Sequence, residues 1–169
     1  MALFGVPIVP RDGVFTLSDA TGTPITATVQ YEDGDLKVDG FTEGFYDTEV
    51  FMDRGEQYAV RKTVRRTYGV SFSCHLTDLT DATEKVVLDA ICKTGAFAAG
   101  ISTTAAKGDA WTLKSVWTVE QTNFGAAGDA TLTLNHIRWE GSISEGIPAK
   151  LSLTGVGYIF ADGDIPART

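Results

Sequence analysis

Apolar and polar residues alternate with a period of two along most of this chain, the spacing that puts successive side chains on opposite faces of a β-strand. Val14 to Leu17 and Ile25 to Tyr31 flank the turn-rich SDATGTP, and Asp33-Gly34 separates Tyr31 from Leu36 and Val38. Both arrangements predict hairpins, since Asp-Gly favours the primed turns that suit the twist of paired strands. The longest alternating run covers residues 58–76. There Val64, Tyr68, Val70, Phe72, Cys74 and Leu76 share one face, opposite Thr63, Arg65, Thr67, Ser71, Ser73 and His75. Arg66 falls on the apolar side, which predicts that this end of the run leaves the core.

At TDLTDATEKVVLDAICKTG the period becomes helical, over about residues 81–94. Asp81 is placed to cap the N-terminus with Glu84 three residues on, Val87, Leu88 and Ile91 form an apolar stripe, and Gly95 stands where a left-handed C-terminal residue is wanted. The stripe predicts packing on one side of the sheets. Residues 96–109 are small and polar and read as a flexible loop. Strands follow at 111–122, 130–139 and 150–160, joined by turns at FGAAGD and EGSISEGIP. The parity shifts near His136 and at Gly155-Val156-Gly157 predict two β-bulges. The fold class is mainly β, a β-sandwich or partly open barrel with one flanking helix. Residues 1–169 form a single domain, with an N-terminal arm at 1–13, a long loop at 39–57 and a short C-terminal tail at 161–169.

A chain of 169 residues is long enough to bury roughly 70% of its unfolded surface in one core. With 43% hydrophobic and 21% charged residues it has the make-up of an ordinary globular domain. MALFGVPIVPRDG has no basic leading segment and is interrupted by Gly5, Pro7 and Pro10, so a secretory signal is not expected, and the default location is cytoplasmic. The net charge of -8 and a pI near 4.6 argue against a dedicated nucleic-acid binder, because neutralising phosphates requires a basic surface. Against that background, Arg61, Lys62, Arg65 and Arg66 put four of the fourteen basic residues within six positions.

Candidate catalytic and metal chemistry is sparse, and no catalytic residue, metal site or cofactor is expected. His75 and His136 lie on separate strands, and no serine or cysteine sits in a nucleophile signature. Cys74, His75, Cys92 and His136 offer zinc-type ligands, but neighbours on a strand point to opposite faces. In EDGDLKVDG, Lys37 and Val38 occupy positions where a calcium loop needs an acid and a glycine, so a hairpin turn explains the acids better. Trp111, Trp117 and Trp139 suggest a sugar-stacking platform, although Trp111 and Trp117 share parity with Leu113 and Val119, which favours the core. The 39–57 segment DGFTEGFYDTEVFMDRGEQ carries Phe41, Phe45, Tyr46 and Phe51 among glycines and acids. A loop this aromatic folds back on the core or docks into another subunit, and docking is the expectation.

The order of these features resembles the major tail tube proteins of long-tailed, siphovirus-type bacteriophages: early hairpins, an acidic and aromatic loop ending in DRGE, VSFSCHL, one helix stopped by TG, then tryptophan- and leucine-rich strands ending in ISEGIPAKLSLTGVGY. The resemblance covers roughly residues 25–160. It implies a β-sandwich with a flanking helix whose copies close six-membered rings, which stack into a hollow tube in the virion tail after assembly in the host cytoplasm. It further implies contacts with tape measure and tail terminator proteins, and DNA passing through the lumen without specific binding. On this basis Phe41, Phe45, Tyr46 and Phe51 reach a neighbouring ring, with residues 3–9 as a second candidate. Arg61, Lys62, Arg65 and Arg66 meet acids of a neighbouring subunit. The absence of an obvious extra outer-surface segment favours a bare flexible tail over a contractile one. The alternatives are a capsid decoration or tail-completion protein, and a carbohydrate-binding β-sandwich.

Overall fold

The computed structural model of the chain describes residues 13–24, 26–30, 36–64, 66–75, 83–119, 128–147 and 149–168. In chain order they form β1 (Gly13–Ser18), β2 (Thr26–Gln30), β3 (Lys37–Asp39), β4 (Asp47–Asp53), β5 (Glu56–Thr63), β6 (Thr67–His75), α1 (Thr83–Cys92), β7 (Leu113–Val119), β8 (Ala130–Ser144), β9 (Lys150–Tyr158) and β10 (Ala167–Arg168). One sheet runs in the order β2-β1-β7-β8-β9-β6-β3, with β10 added beside β8, and β4 and β5 make a separate two-stranded sheet. No helix among the described residues is long and apolar enough to cross a membrane.

The sheet turns over on itself. β1 and β6 are four strand steps apart, so in a flat sheet their side chains would be separated by roughly 19 Å. Yet the Phe15 and Phe72 ring centroids lie 4.5 Å apart, and Trp139 of β8 meets both edge-on at 5.8 and 5.7 Å. The mainly β, sandwich-like fold is thus one sheet curled over an aromatic centre. It does not close into a barrel, because β2 and β3 stand at opposite ends of the strand order. Tyr68, Val70, Phe72 and Cys74 of β6 are buried as the alternation requires, with Leu151 and Leu153 of β9 and Leu134 and Ile137 of β8. α1 adds Val87 and Ala90, and the Trp111 indole donates to the Ala90 carbonyl at 2.7 Å. Trp111 and Trp117 are partly buried against this core.

Several expectations change. The run at 58–76 is two strands, β5 and β6, in different sheets, and Val64 is fully turned out to solvent. β3 pairs with β6, Val38 opposite Val70, where a hairpin with the second strand was expected; Asp33-Gly34 lies outside the described residues. The helix ends at Cys92 because Lys93 takes the left-handed conformation (φ 55°) and the Thr94 amide bonds back to the Asp89 carbonyl; Gly95 is left-handed as expected (φ 51°) but stands two residues further on, where it opens the next turn. The Asp81 cap and the 1–12 arm lie outside the described residues. Far from being a loose loop, residues 96–109 are held by hydroxyls: Ser102, Thr103 and Thr104 all lie within 3.0 Å of the Thr112 hydroxyl, and the buried Asp19 carboxylate accepts the Ile101 amide. The C-terminal tail is ordered too, ending as β10 against Leu132 and Thr133 of β8.

The bulge near His136 is present. Two residues of β7, Leu113 and Ser115, span the β8 pair Ile137 and Leu134, and His136 sits at φ 53°. At Gly155-Val156-Gly157 there is none, since β9 runs in continuous register with both β6 and β8. The glycines have a different cause. A Cβ on Gly155 would lie 2.7 Å from Ile137 Cγ2 and 2.8 Å from the Trp139 ring, and one on Gly157 would enter the Tyr68 ring. Gly157→Ala is therefore expected to cost about 1–3 kcal/mol in urea unfolding. Gly163→Ala, where the added methyl meets nothing, should stay within about 0.5 kcal/mol.

Candidate functional site

The segment expected as a long loop is half of a projecting hairpin. Residues 40–46 make a short 3-10 turn at Glu43–Phe45, and the chain then runs out as β4 and returns as β5. Asp53 and Glu56 bracket a two-residue turn in which Arg54 (φ 51°) and Gly55 (φ 87°) are both left-handed, the primed geometry that matches strand twist. Tyr58 is an extra residue in β5, because the pairing steps from Phe51 and Ala59 to Met52 and Gln57. Directly paired residues share a face. One face of the ribbon therefore carries Thr48, Val50, Met52, Gln57, Val60 and Lys62, and the other carries Glu49, Phe51, Asp53, Glu56, Ala59 and Arg61.

Every residue of β4 is exposed. Val50 is 43% exposed, Met52 59% and Val60 60%, so among the described residues the apolar face has no cover. A two-stranded ribbon is marginally stable on its own in water.

Its root, by contrast, is firmly held. Phe45 is buried and packs at 5.7 Å on Tyr68, with Phe41, largely exposed, lying 5.6 Å from it. Tyr68 donates to the Asn135 carbonyl at the bulge, and burial pushes its phenol well above its ordinary value. Arg66 donates to the Tyr46 hydroxyl at 2.7 Å, stacks over that ring, and lies 3.6 Å from Asp162 and 3.5 Å from the Phe160 carbonyl. Lys62 pairs with Glu43 at 2.6 Å, a contact that lowers the Glu43 carboxyl below its ordinary value.

The structure thus divides the two predicted sets. Phe45 and Tyr46 anchor the ribbon inside the subunit, whereas Phe41 and Phe51 face outward. Lys62 and Arg66 are engaged at the root, Arg61 lies 5.8 Å over Phe51, and Arg65 is outside the described residues. The sequence missed Val50, Met52 and Val60, whose alternation with Glu49, Phe51 and Arg61 was the available signal. Among the described residues no three His, Cys, Asp or Glu side chains gather as a metal site would need; Cys74 is buried and Cys92 exposed.

The C-terminal segment braces this root. Asp164 accepts the Phe160 and Ala161 amides at 3.1 and 2.9 Å and meets His136 Nε2 at 3.1 Å. Burial raises its carboxyl, but those two amides and His136 outweigh burial and leave it below the usual 3.8. A depressed carboxylate stabilises the fold above its unfolded value, and that contribution disappears as pH falls below 3.8 through the folded value. Asp164→Asn should accordingly be less stable than the parent at about pH 7, with the difference shrinking as pH falls below 3.8 when thermal unfolding is followed across the range.

No protein-family model matches the chain, and no curated protein matches its sequence. Solved structures match its fold across nearly the whole chain. The sheath/tube terminator of the extracellular contractile injection system PVC, in its extended state, is 9% identical with a TM-score of 0.58, and the match covers 99% of both chains. The tube-terminating cap of the anti-feeding prophage AFP is 10% identical with a TM-score of 0.57, covering 100% of this chain and 95% of that one. At these identities the likeness is one of fold.

Proposed function

We propose that this chain is a non-enzymatic structural subunit of a phage-tail-like tube, placed at the end of a tube where its copies close a ring. The observation that carries this is the end-to-end match in both directions with a tube terminator and a tube cap, where a shared generic sandwich would match in part. It favours the tail-completion class over the repeating tube protein that the sequence resembles. The projecting ribbon supports it, since an apolar strand face left bare in one subunit is what an assembling protein presents. Net charge supports it as well: at -8 the surface repels DNA phosphates, which suits a channel that DNA crosses without being held.

In this proposal Phe41 and Phe51 belong to the contact between subunits, together with Arg61 and Arg65. Lys62 and Arg66 act through the root that aims the ribbon. Arg61→Glu, which reverses an exposed charge outside the core, should leave the unfolding midpoint near that of the parent and reduce assembly severalfold in sedimentation velocity.

The direct test is negative-stain electron microscopy of the purified protein over a range of concentrations. Discrete closed rings that do not lengthen are the expected result. Tubes that grow with concentration would make the chain the repeating tube protein, and a strict monomer throughout would contradict both roles.

A further inference from the structure

The molecule carries a second open edge. β8 pairs with β7 only from Ala130 to Ile137, while β9 occupies its other side from Ile137 to Ser144. From Arg138 onward, the side of β8 that faces β7 has no strand partner among the described residues. The reason is local: the Thr112 amide donates to Ser102 Oγ at 3.0 Å and its carbonyl accepts the Thr103 amide at 3.1 Å, so the chain before β7 is committed to the hydroxyl cluster and turns away. Residues 138–144 hold continuous register with β9, with neither a bulge nor a proline to discourage pairing.

We propose that this edge accepts β4 of a second copy of the chain as an added antiparallel strand. The inference rests on the ring-forming reading above and names the surfaces that make the ring. Side-chain patterns select the orientation. Antiparallel pairing that sets Asp53 opposite Arg138 sets Met52 opposite Trp139, Val50 opposite Gly141 and Glu49 opposite Ser142. The apolar face of β4 then continues the core-facing row of β8 toward Ile143, while on the outer row Asp53 meets Arg138, which within the chain lies 3.5 Å from Glu140, and Phe51 lies opposite Glu140. Parallel pairing of the same stretches would set Glu49 against Glu140. At Gly141, opposite the incoming Val50, β8 presents no side chain of its own, and Leu153 and Ile91 lie beside that position.

The occupant is another copy because one chain holds both halves and cannot join them. The ribbon is rooted at β6, the acceptor edge belongs to β8, and β9 lies between. Donor and acceptor occupy opposite flanks of that three-stranded unit, so the contact is head-to-tail, the kind that closes rings or extends filaments. The covered face also fits. Val50, Met52 and Val60 form an apolar face that is exposed in the single chain and has no strand laid over it among the described residues.

The test mixes two variants in a Cys92→Ser background, one with Glu49→Cys and the other with Ser142→Cys, under mild oxidation. A disulfide-linked heterodimer is expected, with several times less product when Glu145→Cys replaces Ser142→Cys. In parallel, Asp53→Arg and Arg138→Asp should each weaken assembly roughly tenfold, and the double variant should recover most of it. An absent or register-independent crosslink, or a double variant no better than either single, would overturn the proposal. Closed rings in the parent protein together with a failed crosslink would refute this pairing and leave the tube-end role standing. A specific crosslink in a protein that forms only open chains would do the reverse.

Discussion

Phe15, Phe72 and Trp139 meet although their strands are far apart in the sheet, and the rest of the molecule is arranged around that meeting. A sheet of this size has to curl to bury one face, and the three rings fill the space that curling creates. β8 supplies the means: it is long enough to pair with β7, β9 and β10, and the extra residue at His136 lets its two halves serve different partners. Tyr68 then closes one end, its ring over Gly157, its hydroxyl on the Asn135 carbonyl and its flank against Phe45.

That arrangement spends the apolar residues of the sheet on one interior, and none of the described ones covers the ribbon. β4 and β5 leave the body at the spot Tyr68 closes, held by Phe45, Tyr46 and Arg66, so the direction of the ribbon is set by core residues while its length lies outside. The same economy opens the edge of β8, since the hydroxyl cluster around Thr112 draws away the chain that would have extended β7. A held root with an unpartnered strand, and elsewhere an edge with no strand partner among the described residues, are the features on which the proposed assembly rests.

Much of the body was legible in the sequence because alternation survives wherever one face is buried. Tyr68, Val70, Phe72 and Cys74, the first hairpin, the single helix and the shift at His136 all follow from period and glycine signals. The ribbon was not, for a physical reason: with both faces in water, Val50, Met52 and Val60 had no core to contrast with, and the aromatics beside them dominated the stretch. Phe45 and Tyr46 looked like docking residues and are anchors, a distinction set by Tyr68 and Arg66, more than twenty positions away in the chain for Phe45 and twenty for Tyr46. The glycines at 155 and 157 were read as a bulge because sequence shows the missing side chain and not the ring that fills its place.

Amide hydrogen exchange, compared between dilute monomer and assembled protein, addresses the central claim most directly, since strand addition protects backbone groups that side-chain contact alone does not. The account predicts that amides in both 48–53 and 138–143 gain protection together on assembly, while those of β1 and β7 are unchanged. Assembly that protects neither segment, or the ribbon alone, would contradict it.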